Sequence, residues 1–378
     1  MPAWVGGLFA VVVAAIFAGL GLVGVLGGWV ALGIDYLPLR HAAESLLAGE
    51  SVFTDPAFVY PPTAAVVLLP TALGSATVGF VVWVLAGVAA LLLAAGLIAR
   101  EAPRHRAAVF GVASMGLLGG VIASRSIFLG NLSELLVPVA VGILVAFRRG
   151  RWTLGCALLA GSLLVKPMLA PLVLVPLLSG AWLPLLTTMA PAGGLLLLSM
   201  GLAPGGEKFV SVFKYCLSGT NLHGDNAVNN LSLRGWAEGQ GAPHLLGVAA
   251  SVVVGVAVLV VIVRSPRAGS PIRLGAVLLF GTFLAGGISE VHFLLTGYAV
   301  VLLYLTVERA PLRWFMPGLL LLAAPQAYPD LLFGLGTDGQ TWLVAAELML
   351  LAALLAAPTG KKQEQAAWLS PVLVPAAA

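Results

Sequence analysis

Long apolar runs separated by short polar segments make up most of the 378-residue chain. Many of these runs reach about 18 residues or more, which is long enough to cross a bilayer as a helix. A membrane-spanning β-barrel would instead show strands of about ten residues with alternating polarity. The pattern therefore predicts an all-α polytopic membrane protein with about 10 to 12 transmembrane helices, each satisfying its own backbone hydrogen bonds.

The predicted helices follow the apolar runs, and one pair of them is short. We predict helices at 4–33, 76–99, 107–124, 131–147, 152–165, 168–180, 181–202, 243–263, 274–288, 293–307, 314–327 and 341–357. The first has no basic residue before it and exceeds the apolar core of a signal peptide, so we interpret it as an uncleaved helix. Segment 152–180 contains Pro167, Pro171 and Pro176, which favours two half-length or re-entrant helices lining a cavity.

Two polar segments interrupt the apolar pattern. The first, 35–61, contains a predicted interfacial helix at 36–48, and the second, 203–242, is the longest polar stretch. No repeat of fixed period and no soluble domain is evident. We predict one transmembrane catalytic domain, 1–360, followed by a mobile tail, 361–378.

Charged residues make up only 9% of the chain, against about 25% in a typical soluble domain. Basic residues cluster in alternate polar segments: Arg100, Arg104 and Arg106; Arg148, Arg149 and Arg151; Arg264, Arg267 and Arg273; Arg309 and Arg313; Lys361 and Lys362. Because such clusters favour the cytoplasmic side, we expect a multi-pass protein of the plasma membrane with both termini in the cytoplasm. Most acidic residues then lie on the periplasmic or extracellular side.

Several classes of chemistry lack their motifs in this sequence. It contains no P-loop, no dinucleotide fingerprint, no HExxH and no cluster with metal-ligand spacing. Two cysteines suggest neither a disulfide framework nor a metal site. We therefore expect no metal, no cofactor and no nucleic-acid partner.

Asp35 is the first charged residue of the chain, at the end of the first apolar run. It could cap the helix that follows, because Asp is favoured at that position. It could also act as a general base towards a substrate hydroxyl. Arg40 and His41, in the same polar segment, are candidate substrate-binding residues.

Lys166 is the only charged residue between Arg151 and Glu207. A cation within an apolar stretch is by default a functional candidate. The alternative is that its side chain extends to the outer interface. In a cavity on the outer side it would pair with a lipid phosphate.

Five further candidates lie near predicted outer helix ends. Arg125 is either an interfacial anchor or a substrate ligand, and Asn131 either binds a sugar or caps the next helix. Tyr60 precedes two prolines that suit the first turn of a helix. Glu290 and His292 form either a satisfied interfacial pair or an acid–base or sugar-binding element.

These ionisable groups converge on the non-cytoplasmic side, and no nucleotide-binding motif accompanies them. An enzyme working there needs an activated donor delivered through the membrane. We therefore expect a lipid-linked donor.

Four stretches resemble a known family: "IDYLPLRHA", "VYPPTAAVVLLP", "IFLGNLSELL" and "LLVKPMLAPLVLVPLL". In order and spacing they are similar, over most of residues 1–310, to family 87 of the C superfamily of membrane glycosyltransferases. This family's relevant branch holds actinobacterial arabinofuranosyltransferases and polyprenol-phosphomannose-dependent mannosyltransferases.

The resemblance implies the fold of that superfamily with an outer-face cavity, and inverting transfer with Asp35 as general base. It implies decaprenyl-phosphoryl-arabinose as donor and arabinan as acceptor, with α-1,3 branching. Asn226 and Asn229 lie in a loop similar to the family's Asn-rich outer loop. "SEVH" at 289–292 is closer to the mannosyltransferases, so mannose transfer to a glycolipid is the alternative.

Two other classes of protein remain open at this point. A transporter or flippase for a polyprenyl-linked sugar would place charges at mid-bilayer and show inverted repeats. A non-catalytic scaffold would need no carboxylate at position 35. The sequence leaves the oligomeric state unknown.

Overall fold

The computed structural model describes residues 32–119, 121–218, 230–264, 270–323 and 337–356. Their α-helices, in chain order, are α1 (Tyr36–Ala48), α2 (Pro62–Val67), α3 (Ala76–Glu101), α4 (Arg106–Leu118), α5 (Val121–Leu129), α6 (Ser133–Arg148), α7 (Trp152–Leu163), α8 (Leu174–Leu178), α9 (Trp182–Leu202), α10 (Phe209–Ser218), α11 (Leu233–Gly239), α12 (His244–Arg264), α13 (Pro271–Ala285), α14 (Phe293–Glu308), α15 (Leu312–Ala323) and α16 (Thr337–Ala356). Short 3₁₀ helices occupy Leu69–Ala72, Pro167–Val173 and Gly206–Lys208. No strand occurs in these described ranges, which confirms the predicted all-α class.

Three of these helices, α3, α9 and α12, are each long and apolar enough to cross a membrane. Several shorter apolar helices of 10–17 residues pack beside them. The long helices expose large apolar side chains such as Leu197, Leu245 and Val253. Exposed apolar surface of this kind suits lipid, not water. The protein is therefore a polytopic membrane protein, as the sequence predicts.

The helix boundaries differ from the prediction at 107–124, and the polar segment 203–242 contains two helices, α10 and α11, that the apolar pattern does not predict. The helix predicted at 107–124 is two helices, α4 and α5, because α4 ends at Gly119, whose N–H closes on the Met115 carbonyl at 2.8 Å. The predicted short pair in 152–180 is observed as α7, of 12 residues, and Pro167–Val173 with α8. The predicted helix 4–33, the tail 361–378 and the last residues of 314–327 and 341–357 lie outside the described residues.

The helices run between two ends of the bundle. α3, α6 and α14 all begin at one end, where Asp35, Lys166 and His292 lie, and we call this the Asp35 end. They finish at the opposite end, where Arg148 donates to Glu101 at 3.0 Å, and we call this the arginine end. The 16 residues of α6, which runs from Ser133 to Arg148, separate the two ends by about 24 Å.

A tight turn after α5 fixes the start of α1. The Asp35 N–H donates to the Leu129 carbonyl at 2.9 Å. Gly130 follows with φ +74°, and its carbonyl accepts from Trp83 Nε1 at 3.0 Å. A Cβ at Gly130 would lie 2.6 Å from the Tyr36 Cβ. Only glycine permits both this backbone conformation and this close approach, so Gly130 sets where Asp35 stands.

This close approach predicts a larger loss of stability for Gly130→Ala than for Gly150→Ala. Both glycines are left-handed, at φ +74° and +70°, so alanine costs about 1–2 kcal/mol at either. Only Gly130 has a neighbour within 4 Å of the added methyl group. We expect thermal unfolding in detergent to show a decrease in apparent Tm that is several degrees larger for Gly130→Ala. Equal decreases would contradict the role assigned to the Tyr36 contact.

Candidate active site

Asp35 stands at the N-cap position of α1, yet its side chain makes no capping hydrogen bond to the helix. Its Oδ2 instead accepts from Asn131 Nδ2 at 2.8 Å. The sequence allows Asp35 to be either a helix cap or a general base, and its side chain does not cap the helix. The carboxylate is half-buried and faces a polar cluster contributed by distant parts of the chain.

Asn131 joins the carboxylate to a cation. Its Oδ1 accepts from the Ser133 N–H at 3.0 Å, which starts α6, and from Lys166 Nζ at 3.0 Å. Because the oxygen is engaged twice, the amide nitrogen points to Asp35. Asn131 therefore both caps a helix and orients the two charged groups.

Lys166 lies between the two short helices of the pair, in extended backbone that follows α7. Its ammonium donates to Asn131 Oδ1, to Ser133 Oγ at 2.8 Å, and contacts His292 Nε2 at 3.2 Å. Asn131 and Ser133 accept two of the three ammonium protons, whereas His292 Nε2 also faces Glu290 and cannot accept from Lys166 while it donates to that carboxylate. Since Lys166 is only 7% exposed, the ammonium is held inside the protein and does not extend to the interface.

Aromatic rings complete the surroundings of the ammonium. Lys166 Nζ lies 5.5 Å from the ring centroid of Tyr60 and 5.0 Å from that of Phe293. Both distances allow a cation–π attraction. The Tyr-Pro-Pro segment and α14 therefore meet at the same cation.

His292 and Glu290 form a pair that opens towards the surface. His292 Nε2 lies 2.9 Å from Glu290 Oε2. The His292 side chain is 3% exposed, whereas that of Glu290 is 44% exposed. The pair thus links the buried ammonium to the outside of the cluster.

Arg125, on α5, is half-buried and close enough to interact electrostatically with Asp35 and Glu290. Glu134, on α6, is fully buried and accepts a hydrogen bond from Ser126. This bond ties α5 to α6 beside Arg125. The cluster therefore contains two cations, Lys166 and Arg125, among three carboxylates.

Burial raises the pKa of Asp35 above its ordinary value of 3.8. Glu290 acts in the same direction, while His292, the Asn131 hydrogen bond and Lys166 oppose the shift without cancelling it. A carboxylate with a raised pKa is a stronger base than an ordinary one. Asp35 therefore combines basicity with a fixed position.

Other predicted site residues lie outside this cluster. Arg40 donates to the carbonyls of Thr71 and Gly74, both at 2.9 Å, and pairs with Glu44 at 2.7 Å. These contacts hold the segment after α2 against α1. The substrate-binding role of Arg40 stays a prediction.

His41 faces an open cavity of about 590 Å³ between α1 and the following loop. Its Nδ1 lies 2.9 Å from Asp55 Oδ2. Its binding role also stays a prediction, and Asn226 and Asn229 lie outside the described residues.

Sequence reasoning missed three residues that shape the cluster: Ser133, Glu134 and Asn230. Asn230 Oδ1 accepts from the N–H groups of Ser232 at 3.0 Å and Ser289 at 2.9 Å, and its Nδ2 donates to the Gly287 carbonyl at 2.8 Å. It thereby fixes the turn that carries Glu290 and His292. The available signal was the repeated Asn-Leu-Ser at 131–133 and 230–232, each directly before a helix.

The fold and the cluster together define a polytopic membrane protein with a buried acid–base centre at one end of its bundle. The model of glycosyltransferase family 87 matches residues 58–289, more than half of the chain, and the protein belongs to this family. It is a membrane glycosyltransferase, and its substrates are a sugar donor and an acceptor. Among curated proteins and among solved structures, nothing matches the chain.

The matched region includes Lys166, Asn131, Arg125 and Tyr60, while Asp35 precedes it and Glu290 and His292 directly follow it. Contacts of Asp35 with Asn131 and of His292 with Lys166 join residues outside the match to residues within it. In the described part of the chain, no three His, Cys, Asp or Glu side chains are grouped to hold a metal. The expectation of a metal-independent reaction stays a prediction.

The network around Lys166 predicts that Ser133→Ala destabilises the protein. A hydrogen bond to a charged group contributes about 1.5–3 kcal/mol, and the variant removes one of the two side-chain acceptors of the ammonium. Ser114→Ala is the matched control, because Ser114 is equally buried on α4 while its Oγ has no hydrogen-bond partner. Thermal unfolding should show a lower apparent Tm for Ser133→Ala and little change for Ser114→Ala. An unchanged Ser133 variant would contradict the network.

Proposed function

We propose that the protein transfers a sugar from a polyprenyl-phosphate donor to a saccharide acceptor with inversion at the anomeric carbon. The observation that carries the proposal is the chain of contacts from Asp35 through Asn131 to Lys166. It presents a general base and a cation side by side, which is what a sugar phosphodiester and an acceptor hydroxyl require.

Asp35 takes the proton of the acceptor hydroxyl as that oxygen forms its bond to the anomeric carbon. The bond from this carbon to the phosphate oxygen breaks, and the electron pair leaves with the phosphate. Lys166 and Arg125 stabilise the negative charge that develops there. Because the leaving group is a phosphate and not a pyrophosphate, the two cations replace the metal that a pyrophosphate would need.

The donor is lipid-linked because the cluster lies at one end of a membrane bundle, without a nucleotide-binding motif. The described basic segments at 100–106, 148–151 and 309–313 lie at the opposite end, about 24 Å away along α6. The bias of basic residues towards the cytoplasm then favours an active site on the periplasmic or extracellular side. No cofactor is needed.

For the sugar, we propose arabinofuranose from decaprenyl-phosphoryl-arabinose, added to an arabinan acceptor as an α-1,3 branch. Support comes from the similarity of the Tyr-Pro-Pro and Lys-Pro stretches to arabinofuranosyltransferase C. A polyprenol-phosphomannose donor and a glycolipid acceptor are the second candidate. The Glu290–His292 pair favours it, because "SEVH" resembles the mannosyltransferase branch.

The base assignment predicts that Asp35→Asn lowers the transfer rate by about 10²–10⁴-fold, since a general base contributes that much. The assay uses purified protein with synthetic polyprenyl-phosphoryl arabinose or mannose and a short oligosaccharide acceptor. Asp55→Asn is the control, because Asp55 belongs to the same outer loop and pairs with His41 outside the cluster. Full transfer by Asp35→Asn would remove the assigned base. Movement of the lipid between leaflets without transfer would favour the transporter.

The pKa of Asp35 predicts how transfer depends on pH. The base works only when ionised, and burial raises the pKa of Asp35 above 3.8. As the pH is lowered, kcat/KM should therefore start to fall at a higher pH than it would with an exposed Asp as the base. Asn131→Asp replaces a hydrogen-bond donor by a second negative charge 2.8 Å away, which raises the pKa of Asp35 further.

We therefore expect the acidic limb of the Asn131→Asp profile to move to higher pH. Gln240→Glu is the matched control, since it adds the same charge at an exposed side chain that donates to Thr341, outside the cluster. Its acidic limb should stay where the wild-type limb lies. Equal shifts in both variants would contradict the coupling of Asn131 to Asp35.

A further inference from the structure

A second cavity, of about 390 Å³, lies at the arginine end of the bundle. It is lined by Ala102, Pro103, Arg104, Val109, Thr306 and Arg309. These residues come from the turn between α3 and α4 and from the end of α14. The cavity is therefore remote from Asp35 and takes no part in the proposed transfer.

The two arginines of this cavity have no acidic partner among the residues that the structure describes. Neither Arg104 nor Arg309 makes an ion pair or side-chain hydrogen bond among the described residues. The neighbouring acids are engaged elsewhere: Glu101 pairs with Arg148 and Arg149, and Glu308 accepts from Ser270 Oγ at 2.7 Å. The cavity thus presents two available guanidinium groups.

The backbone conformation of Arg309 indicates a role for its side chain beyond ending the helix. Within the described residues, His105 and Arg309 are the non-glycine residues with positive φ, at 56° and 49°. Arg309 ends α14 in the left-handed conformation, which glycine would adopt at lower cost. The chain places an arginine where a cap alone would call for glycine.

We propose that this cavity binds the phosphate group of an anionic phospholipid. Guanidinium groups bind phosphate through paired hydrogen bonds. Basic pockets between transmembrane helices are suited to anionic headgroups, and this cavity lies at the ends of membrane helices, where headgroups lie. Ala102, Pro103 and Val109 supply apolar wall for the glycerol and first acyl carbons.

The test measures binding of dioctanoyl phosphatidylglycerol to the full-length protein in detergent, by native mass spectrometry and by lipid-induced increase in apparent Tm. The binding variant is Arg104→Gln/Arg309→Gln. The control, Arg151→Gln/Arg313→Gln, removes the same charge from exposed positions at the same end that do not line the cavity. We expect at least tenfold weaker binding for the first and less than twofold change for the second.

Arg309→Gly keeps the test decisive if the double variant does not fold. Glycine suits φ 49°, so this variant should be at least as stable as wild type without lipid, yet should lose most of the lipid-induced increase in Tm. If the control variant bound the lipid as weakly as the cavity variant, the loss would come from general surface charge and the proposed site would be wrong. Equal binding of dioctanoyl phosphatidylcholine would overturn selectivity for anionic lipid, and competition by inorganic phosphate at similar concentration would indicate a site for free anions.

Discussion

The site depends on one constraint: an ammonium group buried in a membrane protein must find all its hydrogen-bond acceptors in the protein. Lys166 finds acceptors in Asn131 and Ser133 and has His292 as its third polar neighbour. These partners belong to the turn before α6, the first turn of α6 and the turn before α14. Satisfying one cation therefore brings together segments that are more than a hundred residues apart in the chain.

Asp35 and Lys166 are joined through an amide and not through a direct ion pair. A direct pair would stabilise the ionised carboxylate and weaken it as a base. It would also occupy the ammonium that the proposed donor phosphate needs. The intervening Asn131 fixes both groups while leaving each available for its own part of the proposed reaction.

Much of the architecture could be predicted from apolar run length, because a bilayer requires long helices and the chain offers few places to break them. Lys166 could be identified because it is isolated among apolar residues. The break after Gly119 did carry a signal, the adjacent pair Gly119-Gly120, which is typical of turns and which the long apolar run outweighed.

Contacts to backbone groups leave even less signal in a sequence. Arg40 is a residue type that often binds ligands, yet its guanidinium donates to the carbonyls of Thr71 and Gly74. Every residue has a backbone carbonyl, so the sequence does not show which ones a side chain will contact. Asn230 is similar, because its partners include the backbone of a turn 57 residues away. The roles of Arg125, Tyr60 and the Glu290–His292 pair depend on a substrate, so geometry alone leaves them as proposals.

The shortness of α7 has a consequence for how a lipid could meet the cluster. Twelve residues rise only about 18 Å from the arginine end, well short of a hydrocarbon core of ~30 Å. Lys166, which follows α7, is thus recessed into the thickness of the bilayer. A polyprenyl donor can therefore reach Lys166 laterally from the bilayer while its isoprenoid tail stays in the hydrocarbon core. The free-energy cost of transferring that tail into water does not arise.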